Sequence, residues 1–205
     1  MQLTYHSYLK IDELLSLQEL KSKNEHDEML FIVIHQVYEL WFKEFLHEVD
    51  FITKMLGEGD VTNAGYKMKR ILTILKVMVH QVDILETMSP LEFLSFRDFL
   101  ESASGFQSWQ FRELEFALGH KSKHHIQRFD HEPQIKQRLE DRFHKPGLWD
   151  FFLAFLHDSG YSVPDQSVNN DTEQNRIMIH DTLVHIYKTN PAIAQFCELL
   201  IDLDE

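Results

Sequence analysis

Three features of this sequence can do chemistry on a small amphipathic molecule: a histidine among aromatics, an arginine on an apolar helix face, and a serine-rich turn. His35 lies within HDEMLFIVIHQVYELWFKEFLHEVDF, residues 26–51. Phe31, His35, Tyr38 and Phe42 fall at i, i+4, i+7 and i+11, so a helix places them on one face. A histidine so placed is either a core residue bonded to a carbonyl or to Glu39, or the one polar group facing a flat apolar ligand. Arg97 stands one turn after Phe93. Its guanidinium can pair with Glu92 or Glu101, or grip a substrate carboxylate with both arms of its fork. Ser102 to Trp109, SASGFQSW, joins two helices. There Ser104 either caps the helix over Phe106–Leu118 or donates to a planar ligand that the small residues admit.

Other arrangements of reactive residues carry less. Glu44 and His47 have the Glu-x-x-His spacing of carboxylate-bridged di-iron bundles, but a second such pair is missing, so a surface pair is expected. His120, His124, His125 and His131 lack supporting cysteines or ordered carboxylates, and no metal site is expected of them. HExxH, Walker A and GxGxxG patterns do not occur. Cys197 sits in an apolar helical pattern and reads as inert core.

The elements that must position these residues read as helices throughout. A short helix is expected within Tyr8–Lys21, with Asn24 or Asp27 capping the long helix around His35. A turn at Gly57–Asp60 leads to a helix over Asn63–Met88. Ser89, Pro90 and Glu92 form a capping box with proline at the first helical position. Gly119 reads as a left-handed stop, and Pro133 and Pro191 begin further helices. Asn170 or Asp171 is the expected cap of a helix reaching Lys188. No alternating pattern competes, so the fold class is all-α. Residues 1–205 read as a single all-α domain, and 16 Phe predict an aromatic core.

Composition narrows the partners. The net charge of −13 argues against a nucleic-acid surface and against an anionic membrane. One cysteine rules out an internal disulfide, and no CxxCH motif offers covalent haem attachment. The N-terminus lacks the pattern of a signal peptide, and no apolar run approaches the length of a membrane span. A cytoplasmic enzyme is the expectation.

Four blocks, taken in order and spacing, resemble the tryptophan 2,3-dioxygenase family. They are Leu3-Thr-Tyr-His-Ser-Tyr-Leu9, residues 26–50, Leu85 to Arg97 (LETMSPLEFLSFR), and SASGFQSWQFRELEFALG at 102–119. The resemblance is looser over 120–205. It implies an all-α bundle of the haem-dependent tryptophan/indoleamine dioxygenase type, with non-covalent haem b, L-tryptophan and O2 as reactants, and N-formylkynurenine as product. It implies that His35 hydrogen-bonds the indole N–H and that Phe31 packs on the ring, within a substrate-binding stretch that includes Ile32, Val33 and Ile34. Arg97 would bind the substrate carboxylate beside Phe93, and Ser104 would border the haem. Tyr5, Tyr8 and Leu9, in an arm at 1–21, would reach a neighbouring subunit's pocket in a homotetramer. In the family the proximal haem histidine follows a segment like Leu200–Glu205, in a Trp-Arg-x-x-His stretch. The sequence ends before it, so weak haem retention and no oxygen activation by these residues alone are expected. A non-catalytic helical homologue that binds an indole or self-associates is the alternative.

Overall fold

The short helix expected within Tyr8–Lys21 is α2 (Ile11–Leu15); α1 (Tyr5–Leu9) precedes it, and the two are separated at Lys10, whose left-handed φ of 51° breaks the run. Neither helix contains a buried residue. The computed structural model describes residues 2–22, 24–101, 103–164 and 172–204. After an irregular segment comes α3 (Asp27–Gly57), 31 residues long and about 46 Å from end to end. No side chain caps its start. The expected caps Asn24 and Asp27 give way to a different anchor, the carboxylate of Glu28, described below.

A three-residue turn with Gly59 at φ 80° returns the chain into α4 (Val61–Leu85), capped by Asp60 through the Asn63 N–H at 3.0 Å. The two helices form an αα-hairpin. α5 (Pro90–Arg97) begins with the expected capping box: Ser89 Oγ accepts from Glu92 N, and Glu92 accepts from Ser89 N at 2.6 Å. The Ser89 N–H, and after it the Ser89 side chain, holds the Glu92 carboxyl below its usual range.

α6 spans Trp109–Leu118, shorter at its start than expected. Ser108 is extended and caps it through Phe111 N, whereas Ser104 caps a single 3-10 turn at 105–107. Two capping hydroxyls in tandem thus split the predicted helix into a turn and a helix. Gly119, at φ 111°, stops α6 as expected. Then come α7 (Lys123–Gln127), α8 (Pro133–His144), α9 (Leu148–Asp158), α10 (Glu173–Thr189) and α11 (Pro191–Asp204). Thr172 caps α10; the predicted caps Asn170 and Asp171 lie outside the described residues. No strand occurs among the described residues, in keeping with the all-α expectation.

The core runs along the α3–α4 hairpin, with α6 and α9 against α3 and α11 against α4. Phe45, Ile52, Leu56, Met68, Ile71, Phe152, Leu156, Ile186 and Phe196 are fully buried. Each contributes on the order of 1.5–3 kcal/mol of burial. Within α3 the buried residues of this core begin at Phe42, with Tyr38 and Trp41 packed against it. The first fifteen residues of the helix, Asp27–Trp41, leave Phe31, His35 and Tyr38 partly exposed. One helix therefore serves as core at one end and as a platform at the other. A second cluster, Phe116, Ile126, Phe129 and Leu139, fastens α6 to α7 and α8.

Polar ties set α6 against α3. Gln110 donates to both the carbonyl and the carboxylate of Glu39, at 2.9 and 2.8 Å. Glu113, 3% exposed, accepts from Arg138 and Arg142, and Arg142 also forks onto Asp50 of α3 at 2.6 and 3.0 Å. Three helices, α3, α6 and α8, are thus joined through two guanidiniums. Cys197 is buried, which pushes its thiol up to about 11 and leaves it unreactive, as its apolar setting suggested.

Candidate active site

His35 sits on the platform end of α3. Its Nδ1 lies 2.7 Å from the Phe31 carbonyl oxygen, one turn back. A carbonyl only accepts, so Nδ1 carries the proton and donates. In the neutral ring this leaves Nε2 as a bare acceptor. Of the two core partners open to it in the sequence, the carbonyl is the one used; Glu39 is bound to Gln110 instead.

Nε2 faces the turn after α5. A methyl built on Gly105 would stand 3.8 Å from it. Gly105 therefore keeps open the approach to the acceptor, a role the sequence reading assigned only loosely to small residues in general. Gly105→Ala should fold normally, since the added carbon makes ordinary contacts and shifts the thermal midpoint by no more than about 3 °C. It should still weaken any ligand hydrogen-bonded to Nε2 by about tenfold, as binding measurements would reveal; unchanged binding would place the ligand elsewhere.

Aromatic rings build the wall beside His35. The Phe31 and His35 ring centroids are 4.0 Å apart. Phe31 also meets Phe93 at 5.9 Å and Phe96 at 5.6 Å, and the last two meet edge to face at 5.5 Å. Phe96 is fully buried and seats α5 on α3. Arg97, the next residue, is partly exposed. Its Nη1 donates at 3.0 Å to the Glu101 carbonyl, not to the carboxylate of Glu101 or Glu92. Glu101 has φ 49°, a costly conformation for a non-glycine residue, and this hydrogen bond braces it. The guanidinium thus has one arm on a backbone oxygen and no carboxylate within bonding distance among the described contacts.

The chain's relatives decide what this pocket belongs to. Residues 1–147 match the family model described as tryptophan 2,3-dioxygenase. The chain is 53% identical to a tryptophan 2,3-dioxygenase of Herpetosiphon aurantiacus, with 99% of this chain and 79% of the relative aligned. It is 42% identical to one from Anaeromyxobacter sp. strain K and 40% identical to one from Caulobacter vibrioides, again across 99% of this chain and 77% and 79% of theirs.

The chain belongs to the tryptophan 2,3-dioxygenase family.

It is an oxidoreductase of this type, and the family implies haem iron, tryptophan and O2. Of the residues that the resemblance nominated, the structure gathers Phe31, His35 and Phe93; Arg97 stands one turn after Phe93 on α5, and Ser104 precedes the Gly105 that faces His35. The structure does not bring all of Ile32, Val33 and Ile34 to the His35 face. Helical geometry puts Val33 about 160° around from His35, and Ile34, 3% exposed, is buried on the side away from Ile32. Val33 therefore lies off the helix face that carries His35. Ser104 caps its turn by accepting from Phe106 N, and its side chain is exposed. Tyr5, Tyr8 and Leu9 are 78, 69 and 42% exposed. A groove of about 680 Å³ between α9, α10 and α11 carries none of these residues. Among the described residues, no group of three or more His, Cys, Asp or Glu gathers to hold a metal ion.

Two residues that matter escaped the sequence reading. Gln110 and Glu28 are polar groups with distant partners, and a local pattern shows the residue without its partner. Glu28 did carry a signal. It lies seven residues before His35, on the same side of the helix, where an acidic residue at a buried position must have found donors.

Proposed function

We propose that this chain is a haem-dependent tryptophan 2,3-dioxygenase that opens the indole ring of L-tryptophan with O2, inserting both oxygen atoms across C2–C3 to give N-formylkynurenine. The observation that carries this reading is the contact of His35 Nδ1 with the Phe31 carbonyl at 2.7 Å, which turns Nε2 outward as the acceptor. An acceptor at Nε2, backed by the Phe31 ring, matches an indole N–H on a flat apolar ring. Phe31 and Phe93 would pack on the ring, and Arg97 would take the carboxylate by exchanging the Glu101 carbonyl for it. Holding the two ends of the substrate fixes the C2–C3 bond in one place before reaction.

The residues present fit a haem edge. Gly105 leaves a clear approach beside Nε2, Ser104 has its side chain exposed, and Phe106 is 74% exposed for apolar contact. Ser104 and Gly105 would hold that edge, and bound haem b would supply the activation of O2. The aromatic wall would exclude water from the ring while it reacts. We take 1–205 as one all-α domain whose arm, residues 1–21, presents Tyr5, Tyr8 and Leu9 to a neighbouring copy in a homotetramer; their exposure supports this. A cytoplasmic location goes with it, and no helix among the described residues is long and apolar enough to cross a membrane.

Turnover of L-tryptophan against its N1-methyl analogue tests the reading, in protein that also carries the family's proximal-histidine stretch and is supplied with haem. The analogue cannot donate to Nε2 and should react at least about tenfold more slowly. In His35→Ala the two substrates should converge, with haem content retained. Equal rates for both substrates in the unaltered protein would remove His35 from its role. Loss of haem in the variant would make it a ligand instead.

A further inference from the structure

The N-terminal arm is tied to α3 by one buried carboxylate. Glu28 is fully buried in the first turn of α3. Its Oε1 accepts from Lys21 N at 2.7 Å, and its Oε2 accepts from Ser22 N at 2.8 Å and from the Ser22 hydroxyl. Ser22 is itself 4% exposed. Burial works against the Glu28 charge, but the Ser22 side chain and the two backbone donors outweigh it and hold the carboxyl below its usual range. Two turns further on, Gln36 donates to the Leu17 carbonyl at 3.0 Å and accepts from Gln18 at 2.6 Å.

These ties define a strap. Glu28 to Gln36 covers about 12 Å of helix rise, and the four steps from Leu17 to Lys21 span about 13 Å when extended. Residues 17–22 therefore lie along α3, over the stripe Glu28–Ile32–Gln36. That stripe adjoins the one carrying Phe31 and His35. We propose that Glu28 is a positioning residue: its carboxylate fastens residues 17–22 along α3 as the wall next to the His35 pocket, and so sets where the arm bearing Tyr5, Tyr8 and Leu9 stands. The part that concerns substrate rests on the function proposed above; the strap itself does not. Because every tie on Glu28 is a donor, an amide cannot replace it. Gln at this position would turn its own N–H groups toward the Ser22 N–H and leave a buried donor without an acceptor.

Hydrogen exchange on the protein, and steady-state kinetics on the same haem-supplied form that carries the proximal-histidine stretch, test this. In Glu28→Gln, protection of the Lys21 and Ser22 amides should fall at least about tenfold, while that of α3 beyond Phe42 holds. KM for L-tryptophan should rise about fivefold or more with kcat within about twofold. Ser22→Ala keeps both backbone donors and should show the same pattern in weaker form, which serves if Glu28→Gln does not fold. Unchanged protection in the variants would overturn the strap. Lost protection with unchanged KM would overturn its positioning role. Unaltered protein that turns over no tryptophan would instead fail the proposed function, and the exchange result would still decide the strap.

Discussion

Arg97→Ala is expected to raise KM for L-tryptophan about a hundredfold, equivalent to about 3 kcal/mol, with a much smaller change in kcat. A carboxylate held by both arms of a guanidinium makes charge-assisted hydrogen bonds that alanine cannot replace. The carboxylate is remote from the indole bond that breaks, so its contacts are made equally in the ground and transition states. Arg97→Lys should recover only part of the loss, because lysine restores charge without the fork. One side effect can be anticipated. The side chain also braces the Glu101 carbonyl in a strained turn, so alanine should lower the thermal midpoint by a few degrees, about 1 kcal/mol. Tryptamine, which lacks the carboxylate, separates the two effects: it should bind the parent and the variant alike. A variant that keeps its KM for tryptophan would remove Arg97 from substrate binding.

Glu113→Ala is expected to cost about 3 kcal/mol of stability and about 10 °C of thermal midpoint. Glu113 accepts from Arg138 at 2.7 Å and from Arg142 at 3.2 and 3.1 Å. Without it the mostly buried Arg142 keeps Asp50 alone, and an under-paired buried charge is among the more expensive defects a core can carry. Arg138 suffers less, since it is 56% exposed and lies over the Trp109 ring at 4.6 Å. Asp50→Asn should cost no more than about 1 kcal/mol, because Asp50 is 55% exposed and water screens its pair. Thermal denaturation of both variants checks the order; Asp50→Asn proving the more damaging would contradict it. The effect should reach the site as well. Glu113 and Gln110 hold α6 against α3, and α6 follows directly on the turn that places Gly105 beside His35.

By itself the sequence determined that the chain is helical, which face of α3 carries Phe31, His35, Tyr38 and Phe42, and where α5 begins. These follow from local rules: the helical period, a capping hydroxyl, and proline at the first turn. The resemblance in four blocks also pointed to the family that the relatives bear out. Tertiary structure decided the rest. His35 could bond to Glu39 or to a carbonyl, and Gln110, 71 residues away, took Glu39. Arg97 could pair with a carboxylate in the chain, but capping occupied Glu92 and the turn offered the Glu101 backbone oxygen instead. Which end of α3 is core depended on where α6, α9 and α4 lie against it. Glu28 stood on the His35 side of the helix, but the donors that satisfy it were set only when residues 17–22 folded back onto it. The common reason is range. Periodicity and caps act within a turn or two of helix, whereas the donor that satisfies a buried acceptor comes from wherever the chain returns, and no local pattern records that return.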